Sequence, residues 1–401
     1  MLLSVAFMML GNGLQNILLG VRATLEGFSD PLIGLVMSAY FAGFFVGSNR
    51  IPRFVGTVGH VRVFAALAAL ASIAILVQAI FVTWPVWTAA RAVTGFCFAG
   101  LYIVCESWLN DRAENETRGQ LLSIYMVIQF SAVTGSQLML NLASPAGYEL
   151  FILVSILLSA AVLPVALAPS PTPRFDAPSR IGIFELYKVS PLGVVGMLGV
   201  GLSVSVFAGM GAVYAKKTGM SDVNVSLFMT IAMLGAAISQ WPVGRLSDRL
   251  PRRTVITAIT LAAAAVALAG MLVAGSSRAA LFLLGFVFST LSMPMYSLCI
   301  AHTNDYLRPA QMVAASSSLV LTYGIGAIFG PLSVGWVMSS AGPAGFFAFL
   351  AAVHGAIGLF AIYRMFRRPA PPPDERRRSV PSPGTVTVAA TPSPPSGNLG
   401  A

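Results

Sequence analysis

The chemistry open to this chain rests on a handful of polar side chains set in long apolar runs. Arg91 and Glu106 are the ionisable pair of greatest interest. If they share a helix they stand about 22 Å apart along its axis at about 1.5 Å per residue, so each needs its own partner or water. Glu106 can load and unload a proton at the rim of an apolar region, or it can pair with Arg112 or Arg118 at the interface. Arg91 can bind an anionic group, tune a nearby proton site, or bond to carbonyls of an adjacent helix. Asn12, Gln15 and Asn16 fall on one helical face at i, i+3 and i+4. They can hydrogen-bond a polar ligand in a cavity or join helices. Gln129, Gln137 and Gln240 read as interhelical glue, and Tyr102 and Tyr296 as aromatics of a gate or of packing. His302 stands alone. No HExxH, phosphate-cradling or Ser/His/Asp arrangement occurs, so no catalytic residue, metal or cofactor is expected.

The elements that position these residues follow from composition. Of 401 residues 56% are hydrophobic and 9% charged, with a mean hydropathy of +0.81. Soluble domains carry about 25% charged residues, so a soluble enzyme, a disordered chain and a secreted disulfide scaffold are excluded. The cysteines, Cys97, Cys105 and Cys299, form no CxxC pair. The +10 charge is spread over short loops, which argues against nucleic acid as a partner. A bilayer core needs about 20 apolar helical residues. That ruler predicts twelve spans, near 2–25, 31–50, 61–82, 86–109, 119–142 and 148–168, then 189–213, 223–244, 254–275, 279–303, 311–338 and 343–365.

An even number of spans puts both termini on one side. Nineteen lysines and arginines fall on that side, against Arg22, Lys216, Lys217 and Arg278 on the other, so both termini are expected in the cytoplasm. Trp84, Trp87, Trp108 and Trp241 suit aromatic belts at the two interfaces. No cleaved signal peptide is evident at the first apolar run. The expected organisation is a six-helix bundle over 1–168, a cytoplasmic linker over 169–188, whose proline-dense part is 169–180, a second bundle over 189–366, and a disordered cytoplasmic tail over 367–401.

The halves repeat. Tyr102, Cys105, Asn110 and Asp111 align with Tyr296, Cys299, Asn304 and Asp305 at an offset of 194, and Arg118 and Gln120 answer Arg308 and Gln311. Two halves related in this way indicate a parallel repeat with a site between them. At the second loop of the second half, Gly244, Leu246, Asp248, Arg249, Arg252 and Arg253 fit G-x-L-x-D-R-x-G-R-R, with Pro251 at the second glycine. The first-half counterpart is degraded, with Pro52 and Gly56 at the leading glycine and aspartate positions. Arg91 and Gly95 fit R-x-x-x-G, and Gly324, Gly326, Gly330 and Pro331 form a packing motif.

With these motifs the chain resembles the major facilitator superfamily over about residues 1–366, and looks closest to its YcaD-like branch through Glu106-Ser107, Arg118 to Leu122, Gln240 to Leu246 and Tyr323-Gly324. The resemblance implies an all-α membrane protein of twelve transmembrane helices in two six-helix pseudo-symmetric bundles. It implies a secondary transporter of a small molecule working by alternating access, with protons as coupling ion, in the cell (inner) membrane. A monomer in the lipid bilayer is expected. Arg91, Glu106, Asn12, Gln15, Asn16, Tyr102 and Tyr296 are then the substrate and coupling candidates. Gly244, Asp248, Arg249, Arg252 and Arg253 form the gating motif, with Asp248 a latch toward the helix starting near Arg118. A transport-inactive membrane sensor and a drug efflux antiporter are the alternatives. The absence of an ATP-binding loop leaves an ion gradient as the energy source.

Overall fold

Apolar helices long enough to cross a bilayer, joined by short turns, dictate the architecture. The computed structural model describes residues 1–112, 118–167, 181–273 and 277–367. Twelve described helical spans have the length and hydropathy to cross a membrane, and no strand occurs among the described residues. The first half comprises α1 (Leu2–Leu25), α2 (Asp30–Val58), α3 (His60–Ile80), α4 (Trp84–Arg112), α5 (Arg118–Leu138) with a 3-10 turn at Met139–Leu142, and α6 (Glu149–Ala166). The second comprises α7 (Ile183–Val189), α8 (Pro191–Lys217), α9 (Asp222–Arg249), α10 (Arg252–Val273), α11 (Arg278–Ser292), α12 (Met295–Asn304), α13 (Pro309–Ala341) and α14 (Ala344–Arg367).

Several expectations are corrected. Helix α2 runs on through Arg50, Pro52 and Arg53, and α9 through Gly244, Asp248 and Arg249, so motif residues placed in loops lie on final helical turns. The end of the expected linker, residues 183–188, forms with Val189 a short helix ahead of α8. The tenth span is two pieces, α11 and α12, parted at Met293-Pro294, where a ring without an N–H interrupts the hydrogen-bond ladder. Trp87 and Trp108 leave the aromatic belts. Trp87 is fully buried between Phe28 and Phe151, and Trp108 stacks on His60. Trp84 and Trp241 are exposed. The proline-dense linker over 169–180 and the tail beyond Arg367 lie outside the described residues.

Packing repeats between the halves. In the first, α1 packs on α5 and α6, α2 on α4, and α3 on α4 and α6; in the second, α8 packs on α13 and α14, α9 on α11, and α10 on α11 and α14. A further repeat marks the turns. Gly27-Phe28-Ser29-Asp30 opens α2 and Gly219-Met220-Ser221-Asp222 opens α9, at an offset of 192. Both glycines hold positive φ, which L side chains rarely adopt, and the Ser221 side chain accepts from the Asn224 N–H as an N-cap.

The halves meet through α2 on α13, α5 on α9 and α1 on α8. Polar contacts between them lie at the end away from the termini. Lys217 pairs with Asp30 at 2.5 Å, the Leu332 N–H donates to Ser38 Oγ at 3.0 Å, Asn141 Nδ2 donates to Ser226 Oγ at 2.9 Å, and Ser226 Oγ donates to the Gln137 carbonyl at 2.7 Å. Gly34 sits so close to Pro331 that a Cβ would overlap its carbonyl oxygen. Inside the first half, α2 and α4 are locked more tightly still, because a Cβ at Gly43 or Gly95 would overlap the backbone of Ala92 or Tyr40.

These two kinds of close approach separate in mutants. Gly95→Leu should lower the thermal unfolding temperature, at a cost of about 1–3 kcal/mol for overpacking a rigid core. Gly34→Leu should leave that temperature nearer wild type while parting α2 from α13, read as a longer distance between spin labels at that end. Equal thermal losses and an unchanged distance would show that the α2–α13 contact is as fixed as the α2–α4 one.

Candidate functional site

Between the halves lies a cavity of about 240 Å³. Its first-half wall is built by α1, α2, α4 and α5, its second-half wall by α8, α9, α13 and the Met293–Tyr296 stretch at the α11–α12 break. It reaches toward the terminus side as far as Asn49 and Ser317. Aromatic rings dominate. Tyr40, Phe44 and Tyr102 cluster on the first half, and Tyr296 meets Tyr323 edge-on at 5.6 Å on the second. Carboxamides supply most of the polarity, from Asn12, Asn16, Asn49, Gln129 and Gln240, so Gln129 and Gln240 serve the cavity wall rather than only joining helices. Among the described residues no Asp, Glu, Lys, Arg or His lines it.

The α1 cluster divides. Asn12 and Asn16 face the cavity, but Gln15 turns away and donates from Nε2 to Gln78 Oε1 at 2.9 Å. Gln78 in turn meets Trp87, whose indole donates to the Gln78 carbonyl at 3.0 Å. Gln15 thus joins α1 to α3 and does not line the cavity. Helical spacing alone placed it with the asparagines, because i and i+3 share a face broad enough to turn toward two neighbours.

Arg91 lies behind the cavity wall, 1% exposed. Its Nη2 donates to Asn16 Oδ1 at 2.6 Å, and the guanidinium sits 4.4 Å from the centre of the Tyr40 ring. Its Nε and Nη1 find no hydrogen-bond partner, so the π face of Tyr40 and the Asn16 oxygen carry the stabilisation of this charge. Tyr102 donates to Met9 Sδ at 3.1 Å, and Asn12 lies within hydrogen-bonding reach of the Tyr40 and Tyr102 hydroxyls.

Glu106 is buried one turn toward the termini from Tyr102. The Tyr125 hydroxyl donates to its Oε1 at 3.2 Å, and Gln129 Nε2 donates to that hydroxyl at 3.0 Å. A polar chain therefore runs from the cavity wall at Gln129 to the carboxylate. Sequence reading missed Tyr125, although i, i+4 spacing from Gln129 on α5 was available as a signal. The alternative partners, Arg112 and Arg118, have side chains outside the described residues.

The gating motif forms a second charged centre at the terminus-side end of the second half. Arg252, 4% exposed, pairs closely with Asp305, donates to the Ala301 carbonyl at 3.2 Å and lies 3.6 Å from Asp248. It ties the start of α10 to the end of α12. Gly244 and Arg249 sit on the last turns of α9, with Arg249 exposed, and Arg253 is buried beside Arg252. The contact expected from Asp248 toward the helix starting near Arg118 involves a side chain outside the described residues. His60, 192 residues before Arg252, stacks on Trp108 in the degraded first-half motif. His302 is buried edge-on to Tyr306.

The chain matches the family described as Major Facilitator Superfamily over residues 1–192 and again over 193–394. The chain belongs to that superfamily. An uncharacterized transporter of the superfamily from Yersinia pestis (strain Pestoides F) is 29% identical over 314 residues, covering 76% of this chain and 79% of the relative. The uncharacterized YcaD of Escherichia fergusonii is 26% identical over 301 residues, covering 75% and 78%. Among solved structures, a nucleoside transporter, NupG, aligns with a TM-score of 0.75 at 15% identity over 92% of this chain and 98% of its own. A bacterial homolog of the lysosomal transporter Spinster, in an inward-facing and occupied conformation, aligns with a TM-score of 0.75 at 16% identity, over 95% and 98%. These structures share the fold. The protein is a multi-pass membrane transporter of a small molecule in the lipid bilayer, and not an enzyme.

The charged centre makes a graded prediction. Asp305→Asn should cost about 3–5 kcal/mol of stability, since it strands a buried guanidinium. Asp248→Asn, whose carboxylate is one-third exposed and 3.6 Å away, should cost under about 1 kcal/mol. Thermal unfolding of both variants in detergent checks this, and the reverse order would move the structural weight to Asp248.

Proposed function

We propose that this protein is a proton-coupled secondary transporter that works by alternating access, captured with its far side shut. The observation that carries the reading is the position of the cavity relative to its seal. Aromatic and carboxamide side chains from both halves enclose a space at mid-membrane, and the polar bonds that shut it toward the far side join separate halves. Rocking one half against the other breaks those few contacts and closes the terminus side in exchange. Both termini are then cytoplasmic, as the lysine and arginine distribution requires, and the protein works as a monomer in the cell (inner) membrane. Glu106 carries the coupled proton, and Tyr125 and Gln129 link it to the cavity. The 1–168 and 189–366 bundles are the moving bodies, and Asp248 is the terminus-side latch toward the helix that starts near Arg118.

Two experiments test this. Lys217→Met removes an interhalf ion pair of about 1 kcal/mol, enough to change the ratio of the two states about fivefold. Spin-label pairs bridging α2 and α13 at each end should show the far side opening and the terminus side closing together. Distances that stay fixed, or ends that move in the same sense, would contradict alternating access. In proteoliposomes, Glu106→Gln should abolish uphill transport driven by a proton gradient while leaving solute exchange. Uphill transport that persists in the variant would make Glu106 a structural residue.

A further inference from the structure

The lining of the cavity narrows the solute. A charged solute would give up its hydration on entering and meet no opposite charge, since among the described residues no ionised side chain lines the space. Arg91, behind the wall, is shielded by Asn16 and the Tyr40 ring and is 1% exposed. Its effect on the cavity is indirect. A guanidinium can only donate, so Asn16 must present its oxygen to Arg91, which leaves the Asn16 NH2 free to donate on the cavity side. One turn earlier on the same face, Asn12 has the opposite need. Its Oδ1 is buried without a partner, an acceptor that a solute meets once the Asn12 carboxamide turns into the cavity it lines.

A donor and an acceptor four residues apart on one helical face match a group that offers an acceptor and a donor side by side. The aromatic rings on both halves flank that edge, and a space of about 240 Å³ falls below the ~300–1,000 Å³ of pockets for drug-sized ligands. We propose that the transported solute is a small, uncharged, planar ring bearing a secondary-amide edge, its carbonyl accepting from Asn16 and its N–H donating to Asn12. Arg91 is a positioning residue that sets the orientation of Asn16. The inference rests on the transporter reading above and names the substrate class of the same cavity.

The test is binding to the full chain in nanodiscs, followed by thermal stabilisation and titration calorimetry, with uracil as the probe. Three comparison compounds each remove one feature: 1,3-dimethyluracil lacks the N–H, orotate adds a carboxylate, and glucose is neutral without a planar ring. Uracil should stabilise the protein, 1,3-dimethyluracil should bind at least about tenfold more weakly, and orotate and glucose should give no shift. In Arg91→Met the preference for uracil over 1,3-dimethyluracil should collapse, whereas loss of mere packing would weaken both alike. Asn16→Asp, which keeps an oxygen for Arg91 but has no NH2 to donate, should lose the same preference while its ligand-free unfolding temperature does not fall below wild type.

Each other outcome overturns the proposal. Orotate binding that matches uracil and vanishes in Arg91→Met would make Arg91 a direct anion ligand. Equal binding of uracil and 1,3-dimethyluracil would make the cavity an unselective apolar site. Silence of uracil would remove the ring-amide class. The spin-label distances, read without any solute, keep the two readings apart. Moving ends with no uracil binding would fail the substrate class alone, and fixed ends with uracil bound would fail the transport cycle alone.

Discussion

An unpaired charge is expensive in a membrane interior, and the arrangement of this protein follows from how its few buried charges are satisfied. Arg91 is held by one carboxamide and the face of one ring, both belonging to its own half. Arg252 is held by Asp305 and a carbonyl, again within its own half. Each guanidinium therefore stays satisfied whichever way the halves lean. The cavity between them is left to uncharged groups, whose hydrogen bonds to a passing solute or water exchange at modest cost.

The seal between the halves obeys a complementary requirement. A transporter whose two end states differ by many kcal/mol would rest in one of them, so the contacts that shut one end must be individually small. The far-side contacts meet that description. They comprise one ion pair that is partly exposed on its lysine, a few hydroxyl and amide hydrogen bonds, and the glycine-mediated approach of α2 to α13. Glycine at Gly34 lets two backbones touch without interlocking side chains. At Gly43 and Gly95 the same device lies within a half, between α2 and α4, where the crossing is part of a rigid body.

Span number, repeat and superfamily were legible from apolar length, arginine placement and the Gly244 to Arg253 motif, because these are set locally along the chain. The direction in which a polar residue points was legible only in part. Asn12 and Asn16 line the cavity while Gln15 does not, a difference made by Gln78 on another helix. Arg91 was recognised as exceptional, but its shielding needed Tyr40, fifty-one residues away and carrying no polar signal of its own. Trp87 read as an interfacial residue because burial on every side leaves no trace in local hydropathy. Asp30 was overlooked altogether, although the Gly-x-Ser-Asp repeat at an offset of 192 pairs it with Asp222. Both aspartates bind a lysine at the end of α8, Asp222 through Lys216 within its half and Asp30 through Lys217 across the interface.

That same offset exposes a division of labour. Asn12 and Asn16 on α1 correspond to Val204 and Ala208 on α8, and all four line the cavity. Tyr40 and Phe44 on α2 correspond to Ala232 and Ala236 on α9. Arg91 on α4 corresponds, at the offset of 194, to Gly285 on α11, whose missing side chain makes room for Phe228. The aromatic pair Tyr102 and Tyr296 is the feature that both halves keep. Duplication thus supplied two similar walls, and divergence placed the donor, the acceptor and the buried cation that orients one of them in the first. Under the proposed cycle, a solute gripped by those groups travels as a ligand of the first half. In that cycle the second half, apolar at the matching positions Val204 and Ala208, slides past without breaking a directional bond there, so the proposed rocking costs the far-side contacts and not the solute.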